Sequence, residues 1–364
     1  MKRIIIIGLI GLLVVSSFVF VSCSKKENII KIGAVLPLTG DAAQAGVNTR
    51  LGIDLKVEEI NNSGGIDGKI LQIIYEDCQG DPKLAVSSIQ KLISIDKVSA
   101  VIDNSLSNVT LAMAPIANEN EVVLLATGAS SPKISDAGDF IFRIWNSDVL
   151  EGDVVAEYAY KELSLKKIAL MIINNDYGLG LQKVFKNKFE GIGGTIITRE
   201  MFSPGDKDFK NQITKLLQNN FEAIYLVGYP TECSGVIKQL KNFGYKGIIV
   251  GTIVMADPIV QKAVEETGYD CYYPIPKQPD QNDPSVANFM NTFNEKYDQE
   301  PPMLADVGYD AIDIITNALI DSKGKEDGIL IKEFFYKMPE YNGASGTFKF
   351  DKNGDVKKPI IVIK

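Results

Sequence analysis

Apolar and polar positions along this chain alternate between two periods. Mostly apolar runs of strand length stand at 30–36, 70–76, 100–103, 122–126 and 141–144, and stretches of helical period fill 43–61, 83–93 and 109–118 between them. In the first of these stretches Val47, Leu51 and Leu55 recur every four residues, while Asp54 and Glu58 lie off that stripe, which predicts a helix packed on a sheet. The pattern then begins again, with strands predicted at 167–173, 195–201, 223–227, 247–250 and 271–273 and helices at 181–192, 209–219, 232–243 and 258–266. Strand and helix in alternation predict an α/β protein with parallel sheets, and two sheets of about five strands each fit two lobes better than one very wide sheet. Past the Pro- and Gln-rich stretch 274–284, which reads as a crossing or a surface loop, helices are predicted at 285–297, 303–322 and 329–337. The end, 346–350 and 359–363 about Asn353-Gly354, reads as a β-hairpin.

Composition narrows the chemistry. The 364 residues include no histidine, which excludes Ser-His-Asp and Cys-His nucleophiles, an imidazole base and any His-bearing zinc site. With 38 Lys plus Arg against 46 Asp plus Glu the formal charge is -8, a poor balance for binding nucleic acid. Residues 1–22 read as a signal peptide: Lys2 and Arg3, an apolar run from Ile4 to Val15 that is short for a bilayer span, then Phe20-Val21-Ser22 before Cys23. That ending resembles the bacterial lipobox, with Phe20 where Leu or Val is usual. It implies export, lipidation of Cys23 and a membrane-anchored tether over 23–28. Cys78, Cys233 and Cys271 then remain without any C-x-x-C pair, so at most one disulfide forms, and small buried thiols are the plainer reading.

Three motifs have local explanations. Asp351-Lys352-Asn353-Gly354-Asp355 has its glycine too early for a calcium loop and no closing glutamate, so it reads as a turn. Gly178-Leu179-Gly180 lacks the third glycine and the distant acid of a dinucleotide fold. Ser130-Ser131-Pro132-Lys133 fits the S-x-x-K of serine acyl enzymes, which makes a surface hydrolase using Ser130 and Lys133 the rival reading, but the companion elements are missing. One constellation stands apart. The strand 100–103 runs into Asn104-Ser105-Leu106-Ser107 and a helix, and the strand 122–126 runs into Thr127-Gly128-Ala129-Ser130. Two hydroxyl-rich turns outside the carboxyl ends of neighbouring parallel strands occupy the crevice where open α/β sheets bind ligands. Serine hydroxyls and free N–H groups at a helix start suit a carboxylate.

A resemblance covers nearly the whole chain after the leader. Ile30 to Gly40, Gly64-Gly65-Ile66-Asp67-Gly68-Lys69, Asp81-Pro82, Gly128 to Pro132, Asp176-Tyr177-Gly178 and Val227-Gly228-Tyr229 look like the leucine/isoleucine/valine-binding protein family, solute-binding proteins of ABC importers. The resemblance implies a type I periplasmic-binding-protein fold: two doubly wound lobes joined by three hinge crossings, closing on a ligand. It implies lobe 1 over 29–146 plus 276–345 and lobe 2 over 147–275 plus 346–364, a monomer, no cofactor, and an ABC permease as partner. Carried over by position, Ser107 and Ser130 would meet the ligand carboxylate, with Ser130 in place of a family threonine. Gly128 would accept from an ammonium, and Tyr177 and Tyr229 would cover the ligand. Ala45 replaces a family tyrosine and enlarges the side-chain pocket. The acid that pairs with the ammonium falls at Ile253. A buried ammonium without a counter-charge costs several kcal/mol. Either Asp257 or Glu232 serves it, or the ligand is an aromatic or branched aliphatic acid without an amine. An amide or peptide-like ligand is a third reading, and a ligand-sensing receptor lobe that signals through a membrane partner is the alternative to import.

Overall fold

The apolar runs become the strands of two six-stranded sheets. The computed structural model describes residues 28–40 and 42–364, so the leader, Cys23 and nearly all of the expected tether lie outside the described residues. The first half runs β1 (Ile29–Leu36), α1 (Ala43–Asn62), β2 (Ile70–Asp77), α2 (Pro82–Lys91), β3 (Ala100–Asp103), α3 (Ser107–Glu119), β4 (Val123–Ala126) and β5 (Ile141–Asn146). The chain then crosses into α4 (Asp148–Lys161), β6 (Lys167–Ile173), α5 (Asp176–Gly191), β7 (Thr195–Phe202), α6 (Lys210–Leu217), β8 (Ala223–Val227), α7 (Pro230–Asn242), β9 (Ile248–Val250), α8 (Pro258–Thr267) and β10 (Cys271–Pro276). It returns through α9 (Pro284–Tyr297), α10 (Ala305–Asp321), α11 (Gly328–Lys337), β11 (Tyr341–Gly343), β12 (Gly346–Phe348) and β13 (Asp355–Val356), and ends in β14 (Ile360–Ile363).

The strand orders are β13-β5-β4-β3-β1-β2 and β14-β10-β9-β8-β6-β7. In each sheet the order reverses at the first strand, and that reversal opens a crevice at the carboxyl ends. The first sheet is covered on both faces. Ile30, Ile32, Ile102 and Leu125 pack with α10 and α11 residues such as Ile315 and Phe335, while Val35, Val101 and Leu124 pack with Ile89 and Met113 of α2 and α3. The second lobe has a continuous core around Leu170, Ile172, Phe185, Phe209 and Tyr225. Such two-sided burial is why these strands read as unbroken apolar runs. The helix α1 packs on α10 so closely that a Cβ on Gly52 would lie 1.8 Å from the Ala305 carbonyl oxygen.

The carboxyl-terminal hairpin does not form. β12 pairs back with β11, Asp351 to Asp355 closes a turn with Gly354 at φ 74°, and β13 then joins β5 in parallel in the first sheet. β14 pairs antiparallel with β10 in the second. The physical reason lies in Asp355, whose carboxylate takes the guanidinium of fully buried Arg143 on β5 at 2.7 and 3.0 Å. That ion pair draws the segment to lobe 1. Assigning all of 346–364 to lobe 2 is therefore corrected: β12 and β13 stay with lobe 1, and only β14 enters lobe 2. Pro274 and Pro276, read from composition as part of a crossing or a surface loop, extend β10 against β14, and the crossing follows the end of β10. The three crossings fall after β5, after β10 and between β13 and β14. Asn146 on the first and Lys358 on the third are clasped by reciprocal amide bonds of 3.0 and 2.8 Å.

Cys78, Cys233 and Cys271 are free and buried. Among the described residues no helix is long and apolar enough to cross a membrane.

Candidate functional site

The two hydroxyl-rich turns stand side by side because β3 and β4 pair in parallel with Asp103 opposite Ala126. Asp103, fully buried, accepts from the hydroxyls of Ser105 and Thr110 and so fixes the first turn against the start of α3. Burial, outweighing those hydrogen bonds, pushes its carboxyl up to about 6. The Thr127 N–H donates to the Asp103 carbonyl at 2.8 Å, and the Asn104 amide donates to the Thr127 hydroxyl at 3.0 Å, locking one turn to the other. Ser107 opens α3, where the first N–H groups have no acceptor within the helix. Its hydroxyl oxygen accepts from the N–H groups of Ser130 and Ser131 at 3.2 and 3.1 Å. With its lone pairs so used, the Ser107 hydroxyl is left to donate its own proton.

Lobe 2 supplies the opposite wall. Asn175 caps α5 by accepting from Gly178 N–H at 3.0 Å, which presents Tyr177 in the first turn. Tyr177 and Tyr229 stack with ring centroids 5.7 Å apart and planes 10° from parallel. The Tyr177 hydroxyl donates to Thr252 at 3.0 Å, and the Tyr229 hydroxyl accepts from Asn175 at 3.0 Å. Burial raises both phenol pKa values, so both stay protonated. Glu232, buried in the first turn of α7, accepts from Gly205 N–H at 2.8 Å. Asp257 caps α8 through Ile259 N–H at 2.8 Å. Ile253 directs its N–H to Glu151 at 3.3 Å.

These walls enclose a cavity of about 370 Å³. Ser107, Gly128, Ser130, Tyr177, Tyr229, Ala45, Ile253, Glu232 and Asp257 all line it, so the structure brings every candidate residue of the cleft to one place. Lys133 is not among the lining residues. Its ammonium reaches across to Asp176 at 2.5 Å with the side chain 67% exposed, and Pro132 separates it from Ser130. The S-x-x-K pattern therefore does not bring its lysine onto its serine. Among the described residues the lining contains two acids, Glu232 and Asp257, and no Lys or Arg. Sequence reading missed Trp145, which closes the cavity from β5, and the whole of α4, whose first-turn acids Asp148 and Glu151 are buried. Ser147, which caps α4, followed by two acids in the first turn is a helix-start signal that would have found the helix. Nothing in that signal says the acids point inward.

A family model described as periplasmic binding protein matches residues 29–364. The chain belongs to this family. It is 27% identical over 340 residues, 93% of this chain and 90% of the relative, to the leucine-, isoleucine-, valine-, threonine-, and alanine-binding protein of Pseudomonas aeruginosa. The crystal structure of a leucine-binding protein, LivK, from Thermotoga maritima superposes with a TM-score of 0.84 at 30% identity, covering 92% of this chain and 94% of that one. A solute-binding protein of an ABC transporter from Rhodopseudomonas palustris BisB5, in complex with 3,4-dihydroxybenzoic acid, shares the fold with a TM-score of 0.79 at 21% identity, covering 92% and 93%. This binding protein thus has the two-lobed α/β fold of the periplasmic binding proteins, and the relatives it matches are named as binding proteins. Its lobes meet across the cleft, where the Ser131 hydroxyl of lobe 1 donates to the Asp176 carbonyl of lobe 2 at 3.2 Å.

Proposed function

We propose that this binding protein is exported, anchored through a lipid on Cys23, and delivers an apolar amino acid to an ABC permease as a monomer. The ligand carboxylate would meet the Ser107 hydroxyl and the free N–H groups of the α3 start. Its side chain would lie toward Ala45 and Leu106. The observation that carries the choice of an amine-bearing ligand is the charge of the cleft, where the described residues supply two acids and no base. A zwitterion entering such a site brings its own cation, whereas an amine-free carboxylate adds a third negative charge in a desolvated space. Glu232 keeps a partner in Gly205 N–H and Asp257 one in Ile259 N–H, so both carboxylates are held in place at the wall.

A second reading, an aromatic or branched acid without an amine, is supported by Ile253 and by the room at Ala45. A thermal-shift screen of the chain from Ser24 separates the two. Leucine, isoleucine, valine and phenylalanine are compared with the matched acids lacking the amine, and a ligand at about 100 times its Kd adds about 2.7 kcal/mol. Stabilisation by the amino acids is expected. Stabilisation by the amine-free acids alone would establish the second reading, and no response to either set would overturn both.

A further inference from the structure

Behind the cleft wall that carries Glu232 and Asp257 stands a second acidic pair. The helix α4 begins at the first hinge crossing, so its first turn faces inward: Asp148 is 0% exposed and Glu151 6%. Each acid backs a residue that lines the ligand cavity. The Asp148 N–H donates to the Ser130 carbonyl at 2.8 Å, and its carboxylate lies beside the Ser130 hydroxyl. Glu151 accepts the Ile253 N–H, and with Trp145 and Ile253 it lines a void of about 10 Å³ against the cavity wall. Among the described residues neither carboxylate oxygen of Asp148 finds a hydrogen-bond partner. The hydroxyl of Tyr225, itself 0% exposed and facing the same two carboxylates, has none either.

The charges around the pair do not balance it. The cation facing it is Arg143 on β5, whose guanidinium is committed to Asp355, to the Ser131 carbonyl at 3.0 Å and to the Ser135 hydroxyl at 3.1 Å. The other titratable neighbours are the phenols of Tyr177 on α5, Tyr225 on β8 and Tyr229 ahead of α7, which carry no positive charge. Burial raises the pKa of both acids far above the usual carboxylate range, and repulsion from Asp148 adds to the rise at Glu151.

Resting on the reading of an amine-bearing ligand, we propose that Asp148 and Glu151 are positioning residues that form the negative pole for the ligand ammonium, Asp148 through the Ser130 hydroxyl and Glu151 from behind Ile253. A Ser130 hydroxyl that donates to Asp148 turns its lone pairs to the cleft and accepts from the ammonium. Ser107, whose oxygen already accepts two N–H bonds, donates to the carboxylate. The two serines thereby read opposite ends of the ligand. An arriving cation favours the ionised acids, so binding an amino acid expels a proton from the pair, and affinity rises with pH through the neutral range. For an amine-free acid the same ionisation is repulsive, so its affinity falls.

The test is calorimetry of leucine and of 4-methylpentanoate in buffers of different protonation heat, from about pH 6 to about pH 8.5, on the wild type, Glu151→Gln and Asp148→Asn. Gln keeps the shape and the acceptor for Ile253 N–H. The wild type is expected to release a proton on binding leucine. Glu151→Gln should abolish that release and weaken leucine by about tenfold or more at the upper pH, with 4-methylpentanoate unchanged or bound more tightly. Leucine binding without proton release overturns the proposal from the wild type alone, as does unchanged leucine affinity in both variants. In those cases the amine-bearing reading survives. A wild type that binds 4-methylpentanoate and not leucine overturns both.

Discussion

In both lobes five parallel strands lie in the order second, first, third, fourth, fifth, with a sixth added beside the fifth. The added strands differ. In lobe 1 β13 is parallel to β5, forms only two register pairs, one of them shifted, and is held by the buried Arg143–Asp355 pair. In lobe 2 β14 is antiparallel to β10 over four register pairs, and its terminal ion pair, Lys364 with Asp270, is exposed. The cleft shows the same division. Lobe 1 offers serine hydroxyls and the N–H groups of a helix start; lobe 2 offers stacked phenols and carboxylates. One topology fixes where the loops gather, and the residue types in those loops decide what each wall can recognise.

The largest expected effect tests the first half of that contrast. Asp355→Ala leaves the Arg143 guanidinium buried without its carboxylate and should cost about 3–5 kcal/mol of stability, read as a lowered urea midpoint. Lys364→Ala, at the matching edge of lobe 2, should leave the midpoint where it was. Equal effects would mean that both edges are held by their backbone ladders alone.

The next effect compares the two walls. Ser107→Ala removes a donor to a charged group and should weaken amino-acid binding by about 1.5–3 kcal/mol. Tyr229→Phe removes only the bond from Asn175 and keeps the stacked ring, so about 0.5–1.5 kcal/mol is expected. Titration by the fluorescence of Trp145, which lines the cavity, reads both. A larger loss at Tyr229 would move the main anchor to lobe 2. Ala45→Tyr, which fills the lobe 1 end of the cavity, should lower affinity for phenylalanine and leucine more than for alanine, and a uniform loss would place the ligand side chain elsewhere.

How much of this could be read beforehand varies from residue to residue. The strands were legible because both faces of each sheet are covered, which leaves runs such as Ile168 to Ile173 unbroken by polar residues. Ser107 and Ser130 were legible because they follow strand ends. The fate of 346–364 was not, since the hairpin pattern is local and the force that overrides it comes from Arg143, about two hundred residues away in sequence. The inward turn of Asp148 and Glu151 was hidden for a related reason. Acids in a first helical turn ordinarily complement the helix dipole at the surface, and only the hinge crossing beside them makes that turn an interior one.

The smallest effect concerns the contact between the walls. Lys133 of lobe 1 pairs with Asp176 of lobe 2, with the side chains 67% and 30% exposed. An exposed pair is worth about 0.2–1 kcal/mol and is screened by salt. It also exists only while the lobes are together, so its contribution falls on release of the ligand and not on its capture. Lys133→Ala should therefore raise koff by at most about fivefold at low ionic strength, leave kon nearly unchanged, and lose its effect as salt is added. A variant that slows association instead would show that Lys133 steers ligand into an acidic cleft, and one that abolishes binding would return Lys133 to the chemistry of the site, against which its pairing with Asp176 now argues.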